Sequence, residues 1–219
     1  MIGNLRLKLF SGAIIVLFGV LAAAPLAHSQ EQGKNEFGIW GGYSVNNPHT
    51  IGTIGDRPFG VFALRYGRTL WSSHAFSLQY TLDVLPVEIL VQPKISNYVI
   101  SGSPPRASYV ESDRHAVYGA GISPVGFKVN FLRKYRLQPF WATSEGFVAS
   151  TEPIPLDISG ATRFNFTVDI QAGLQYFNSS RSRAWILGYK FQHISNAYRS
   201  RVNPGVDFNL LYLGYSFFK

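Results

Sequence analysis

Three side chains near the end of the chain are of the types that carry out nucleophilic acyl transfer. Ser195, His193 and Asp207 lie within fifteen positions of one another. In such a set the serine attacks an ester carbonyl, the histidine takes its proton, and the carboxylate orients the imidazole and stabilises its cationic form. Asn196 and Asn203 are candidate amide donors to the oxyanion. The spacing indicates a candidate esterase site, and the alternative is a scatter of polar residues at strand ends.

Alternation of apolar and polar residues shows which elements must position these groups. In 164–177 and in 75–84 every second residue is apolar, and this period of two marks strands with one apolar and one polar face. A membrane-crossing strand needs about 9–11 residues, and the segments have that length. Eight strands are predicted, at 36–46, 57–70, 74–85, 115–130, 136–148, 164–177, 183–195 and 207–218.

The connections between the predicted strands alternate in length. Bacterial outer-membrane barrels have short periplasmic turns and long extracellular loops. The pattern therefore predicts an all-β fold, an eight-stranded antiparallel transmembrane β-barrel of the outer membrane, and a soluble up-and-down barrel is the alternative. The short links lie near 71–73, 131–135 and 178–182, and the long links lie near 47–56, 86–114, 149–163 and 196–206.

The first 29 residues have the composition of a signal peptide. Arg6 and Lys8 precede an apolar run over 9–26, and Ala27-His28-Ser29 offers a cleavage site. We therefore expect 1–29 to be removed and 30–219 to form one outer-membrane barrel domain.

Composition also favours a membrane protein. Only 15% of the residues are charged, below the roughly 25% of soluble domains, and no run after the signal peptide reaches the roughly 18 apolar residues of a membrane helix. The net charge of +8 falls to +6 without Arg6 and Lys8 of the signal peptide. This basic excess suits a surface that meets anionic lipid head groups, and an ordinary solvated surface is the alternative.

Other site chemistries find little support in the sequence. Cysteine is absent, which excludes a disulfide scaffold, a thiolate zinc site and a cysteine nucleophile. His49, His74 and His115 lie far apart and lack the spacing of metal ligands, so no metal site is expected.

Residue parity along the last two predicted strands indicates which face the candidate triad occupies. Charged and small residues fall at even numbers there, so the odd-numbered residues, including all three triad residues, are expected to face lipid at the extracellular rim. If Tyr189 pairs with Leu211, then His193 lies opposite Asp207, within the distance of cross-strand neighbours. A separate set of charged residues is expected to face the lumen as a structural network: Arg65, Asp83, Glu145, Asp169 and Lys190.

The segment His193-Ile194-Ser195-Asn196-Ala197, followed by Asn203-Pro204-Gly205 and an acid at 207, resembles the lipid A 3-O-deacylase (PagL) family of outer-membrane acyloxyacyl hydrolases. The close motif match covers 192–218, and the eight-strand layout extends the likeness over the barrel. The resemblance implies a Ser-His-acid triad on the outer face of an eight-stranded barrel, which removes the ester-linked 3-position acyl chain of lipid A.

The resemblance also implies a role for each residue of the motif. By motif position Ser195 is the nucleophile, His193 the base and Asp207 the acid, with Asn203 and Asn196 serving the oxyanion hole. Well-known members carry Glu where Asp207 stands, and members often have Gly at the position of Tyr198.

We therefore expect an outer-membrane serine esterase that acts on lipid A of lipopolysaccharide in the outer leaflet and requires no cofactor. Arg199 and Arg201, in the same loop, are candidate contacts to lipid A phosphates or acidic sugars. No nucleic-acid partner is expected, and a homodimer stays open. The alternatives are a non-enzymatic barrel in adhesion or envelope integrity, and a phospholipase or other lipid esterase with the same triad.

Overall fold

Eight antiparallel strands form a closed barrel in the computed structural model, which describes residues 35–101, 107–156, 158 and 160–219. The expected signal peptide, 1–29, lies outside the described residues. Each strand pairs with its neighbours in sequence, and the first strand closes the barrel on the last. The strands are β1 (Asn35–Asn46), β2 (Phe59–Ser72), β3 (Phe76–Ser101), β4 (Ala107–Phe131), β5 (Leu137–Ile154), β6 (Thr162–Phe177), β7 (Arg183–Ser195) and β8 (Val206–Phe218).

The two ends of the barrel differ in their connections. The turns at 73–75, 132–136 and 178–182 lie at one end with both ends of the barrel segment, and we call this the short-turn end. The connections at 47–58 and 196–205 lie at the other, long-loop end. Among the described residues, no helix is long and apolar enough to cross a membrane.

The outer wall of the barrel is apolar and the lumen holds buried polar groups. On β7 and β8 the outward side chains of Trp185, Leu187 and Leu213 are 64%, 54% and 63% exposed, whereas Lys190 and Gln192 are buried inside. Exposed apolar side chains on a barrel without open edges are what a hydrocarbon environment requires. The fold is therefore the predicted transmembrane barrel, and a soluble barrel with a polar outer face does not fit.

Ion pairs fill part of the lumen. Because a buried charge without a partner is strongly destabilising, each pair supports the barrel interior. Four of the five residues predicted for this network are buried in it, together with a pair that the sequence did not suggest. The pairs are Arg65–Asp83 at 2.6 Å, Lys128–Glu36 at 2.6 Å and Lys190–Asp169 at 2.9 Å.

The prediction for the fifth residue, Glu145, was wrong. Glu145 pairs with Val168 of β6 and is exposed on the outer wall. The physical reason is strand parity, because the outward-facing Trp141 and Phe147 lie an even number of residues away along β5.

The wall is taller than predicted on one side. Residues 86–101 and 107–114 continue β3 and β4 as a paired hairpin, where the sequence predicted one long loop over 86–114. Pro86 and Pro93 are loop signals in a sequence, yet a register shift between Leu85 and Glu88 accommodates the first of them in the sheet. The strand β5 likewise continues to Ile154, whereas β7 has the predicted bounds.

Candidate active site on the outer wall

The pairing of β7 with β8 positions the candidate histidine and acid. Tyr189 pairs with Leu211, and His193 pairs with Asp207, which confirms the predicted register. His193 Nδ1 lies 2.6 Å from Asp207 Oδ1. An ionised carboxylate accepts only, so Nδ1 carries the proton and Nε2 is left to accept one from a nucleophile.

A distant loop holds the carboxylate of Asp207. Its Oδ2 accepts backbone N–H bonds from Thr50, Ile51 and Gly52 at 2.8, 2.7 and 2.9 Å. Three donors converging on one oxygen satisfy a buried charge and fix its orientation. Asp207 is therefore fully buried although its strand position faces outward, because the loop at 47–58 covers it. No feature of the sequence pointed to this loop.

Ser195 ends β7 on the same face as His193. It pairs with Phe166 of β6. Together Ser195 and His193 line an open depression of about 290 Å³ on the outer wall. Within the described part of the chain, the Ser195 hydroxyl makes no hydrogen bond. This is compatible with a catalytic role, because catalytic hydrogen bonds are often longer in a free enzyme than in its substrate complex. The rest of the lining is Glu145, Gly146, Phe166, Thr167, Val168 and Ala197.

The two candidate oxyanion donors differ in what their amides already do. The Asn196 backbone N–H donates to Asn203 Oδ1 at 3.1 Å, which leaves Asn203 Nδ2 without a partner among the described residues. Asn196 itself is 2% exposed; its Nδ2 donates to the Val202 carbonyl at 2.7 Å and its Oδ1 accepts from the Tyr198 N–H at 3.0 Å. Asn203 thus has an unused donor, whereas Asn196 holds the loop together.

Two glycines allow the backbone to approach the site closely. A Cβ on Gly205 would lie 2.3 Å from His193 Cε1, and one on Gly52 would lie 2.4 Å from the Gly205 carbonyl oxygen. Thr53 N–H also donates to that carbonyl at 2.9 Å. The loop at 47–58, Gly205 and the imidazole are therefore stacked without room for a side chain. Gly205 lies in the quoted motif, but Gly52 had no signal in the sequence.

The loop after Ser195 has a strained backbone. Ala197 and Tyr198 have φ values of 52° and 62°, a left-handed conformation that is uncommon for residues other than glycine. The hydrogen bond from Tyr198 N–H to Asn196 Oδ1 supports this conformation locally.

The candidate head-group arginines are both exposed in this loop. Arg199 Cζ lies 5.4 Å from the centre of the Phe164 ring, and Phe164 packs against Phe166 at a ring distance of 5.6 Å. Arg199 is therefore one ring away from the depression, whereas Arg201 makes no side-chain contact of this kind within the described residues. No group of three metal-ligating side chains occurs in the same part of the chain.

A lipid-facing outer wall and a polar cluster beside the long-loop end define an eight-stranded barrel of the outer-membrane class. The family model of the lipid A 3-O-deacylase (PagL) family matches residues 63–216, well over half of the chain. The chain belongs to that family.

Solved structures with a similar barrel include the outer membrane enzyme PagL, at 15% identity and a TM-score of 0.49, covering 83% of this chain and 98% of that one. Neisserial surface protein A matches at 10% identity and a TM-score of 0.45, over 84% and 96% of the two chains. Ail of Yersinia pestis matches at 12% identity and a TM-score of 0.45, over 86% and 99%. No curated protein matches the chain.

Proposed function

We propose that this protein is an outer-membrane serine esterase that hydrolyses the ester-linked 3-position acyl chain of lipid A. Family membership supports the reaction class. The observation that carries the proposed mechanism is the 2.6 Å contact between His193 and Asp207, in a depression of the lipid-facing wall that Ser195 shares. Polar side chains on a lipid-facing surface are costly, so a functional role explains their presence.

In the proposed first step, Ser195 Oγ attacks the ester carbonyl while His193 Nε2 takes the hydroxyl proton. Asp207 holds the imidazole through Nδ1 and stabilises its cationic form. The oxyanion of the tetrahedral intermediate accepts a hydrogen bond from Asn203 Nδ2. The protonated His193 then gives its proton to the sugar oxygen, which leaves as a hydroxyl and yields an acyl-enzyme.

In the second step, water attacks the acyl-enzyme carbonyl and His193 takes the proton of that water. The collapse of the second intermediate releases the fatty acid and returns the proton to Ser195 Oγ. The two steps together consume one water and leave the serine and histidine as they began, so the mechanism requires no cofactor.

The surroundings of the site suit a lipid substrate. The side chains of Phe166, Val168 and Ala197 give the depression an apolar wall, against which an acyl chain in the outer leaflet can lie. Arg199, over Phe164, is available to pair with a phosphate or acidic sugar of the same molecule. Lipopolysaccharide presents both features together, so it is the proposed substrate and partner.

Mass spectrometry of lipid A from cells expressing the protein tests this proposal. The wild type should remove one 3-hydroxyacyl chain, and Ser195→Ala should leave lipid A intact. Ser179→Ala is the matched control, because Ser179 is exposed in a short turn and should retain full activity. Heat-modifiable gel mobility checks that each barrel is folded.

Two outcomes would contradict the proposal. Lipid A that is unchanged by a folded wild-type barrel would favour a non-enzymatic role in adhesion or envelope integrity. Breakdown of phospholipids in place of lipid A would instead assign the same triad to a phospholipase.

A further inference from the structure

Five exposed cations lie at the short-turn end in the described part of the chain: Lys219 follows β8, and four others lie on the wall or in a turn. Arg68 lies in β2, Lys134 and Arg136 lie in the turn before β5, and Arg183 begins β7. We call these four residues the basic girdle. Within the described residues, no exposed Asp or Glu lies at this end. The carboxylate of Glu36 is buried there and paired with Lys128.

Two of these guanidinium groups lie over outward-facing aromatic rings. Arg136 Cζ is 4.9 Å from the centre of the Tyr176 ring, and Arg183 Cζ is 5.8 Å from that of Phe217. Both rings are nearly half exposed, at 49% and 46%. Aromatic side chains of barrels concentrate where hydrocarbon meets the head groups. The charges of Arg136 and Arg183 are therefore held against the wall, at the level where we expect the head groups.

Two of the exposed cations at the long-loop end have carboxylate partners. Arg114 donates to Asp56 at 2.6 Å, and Lys94 lies 4.0 Å from Glu152. These pairs neutralise charge within the protein. Among the described residues the girdle cations have no such carboxylate partner, so their attraction for an external anion is not offset in the same way.

We propose that the basic girdle binds the head groups of anionic phospholipids in the leaflet at the short-turn end. The four cations lie in three sectors of the wall, at β2, at the turn between β4 and β5, and at β7. This spread fits a plane of phosphates around the barrel better than a single bound molecule. A guanidinium fork binds a phosphodiester through paired hydrogen bonds, and each cation near an anionic leaflet adds to the attraction. The surface lies at the opposite end from the candidate active site, so it does not depend on the esterase proposal.

Quenching of tryptophan fluorescence by brominated lipids tests the proposal. Trp71 and Trp185 lie near the short-turn end, and Trp141→Phe removes another outward-facing tryptophan. In vesicles that mix brominated phosphatidylglycerol with phosphatidylethanolamine, and in the converse mixture, the quenching gives a relative binding constant. We expect about threefold or greater preference for the anionic lipid, falling to about one in the R68Q/K134Q/R136Q/R183Q variant.

A matched variant removes the same number of charges at the other end: K94Q/R114Q/R163Q/R201Q. It should keep the preference, because its substitutions lie away from the reporting tryptophans. Absence of preference in the wild type would overturn the proposal, as would equal loss in both variants or a preference that survives loss of the girdle. Competition by millimolar inorganic phosphate at constant ionic strength would show a site for free phosphate and would also overturn it. Heat-modifiable mobility again checks folding.

Discussion

Asp207 shows how one carboxylate can serve two sets of partners. One oxygen faces His193 at 2.6 Å, and the other accepts three backbone N–H bonds. The acid is shorter by one methylene than the Glu that well-known family members carry. The direct pairing of residues 193 and 207 across the ladder brings the backbones close enough for the shorter side chain to reach.

Replacing this acid by its amide tests the role of its charge. In Asp207→Asn the side-chain oxygen is drawn to the three loop amides, so the NH₂ group faces His193 Nδ1 and favours the wrong tautomer. We expect kcat to fall by about 10²–10⁴-fold with KM little changed, measured with lipid A in detergent micelles. Asp56→Asn should retain wild-type activity, because Asp56 lies in an exposed part of the loop at 47–58 and pairs with Arg114. Full activity in Asp207→Asn would contradict this role.

A second substitution tests the side-chain NH₂ group of Asn203 separately from its side-chain oxygen. Asn203→Asp keeps an oxygen for the Asn196 N–H and removes the proposed oxyanion donor. We expect kcat to decrease by about 10²–10³-fold, with folding and substrate binding maintained. Asn178→Asp, at the short-turn end, is the comparison. A wild-type kcat in Asn203→Asp would place the oxyanion donor elsewhere.

At the scale of elements, the loop at 47–58 is a structural part of the site. It packs on Gly205 and supplies the amides that hold Asp207.

The tall β3–β4 hairpin shows that prolines do not always end a strand. Its prolines indicated a loop, but antiparallel pairing continues past both of them: a register shift between Leu85 and Glu88 accommodates Pro86, and Pro93 pairs directly with Arg114.

Gly52 is the residue on which the fit of this loop depends. In Gly52→Ala the new Cβ would lie 2.4 Å from the Gly205 carbonyl oxygen, so the loop must shift away from Asp207. We expect a large loss of kcat in a barrel that still folds, measured by ester hydrolysis and gel mobility. Gly55→Ala is the control, since its Cβ would come close only to the movable end of the His49 side chain and would lie at an ordinary contact distance of 3.9 Å from the Asn47 carbonyl oxygen. Equal activity in the two variants would show that the loop does not position the acid.

For the barrel as a whole, the ion pairs in the lumen matter because removing one partner leaves an unpaired buried charge, which is strongly destabilising. The Arg65–Asp83 pair is the clearest case. Its side chains are 3% and 2% exposed, and Trp40 Nε1 donates to the same carboxylate at 3.3 Å. Without Asp83, the buried Arg65 guanidinium would lose the carboxylate that it contacts at 2.6 Å.

Removing the acid of this pair should destabilise the whole barrel. We expect Asp83→Asn to lower the free energy of unfolding by about 3–5 kcal/mol, whereas Asp56→Asn, which breaks an exposed pair with Arg114, should cost about 0–1 kcal/mol. Urea unfolding in lipid vesicles, followed by tryptophan fluorescence, measures both. Equal destabilisation by the two substitutions would show that the lumen pair is not a major source of stability.

Much of the architecture is encoded locally in the sequence. A period of two with apolar side chains on one face is a property of neighbouring residues, so the strands, the lipid-facing wall and the pairing of His193 with Asp207 could all be predicted. The same alternation along β5 also predicts that Glu145 faces outward. Glu145 was assigned to the lumen because it is charged, and that assumption was wrong.

The way in which Asp207 is held and the height of the wall depend on contacts between distant parts of the chain. The amides of Thr50, Ile51 and Gly52 reach Asp207 across 155 to 157 residues of chain. A backbone N–H is present in every residue except proline, so no residue type marks such a contact in advance. The continuation of β3 and β4 likewise depends on each strand finding its partner. These segments come together only when the barrel closes, so neither the loop contacts to Asp207 nor the full height of the wall could be predicted from local sequence.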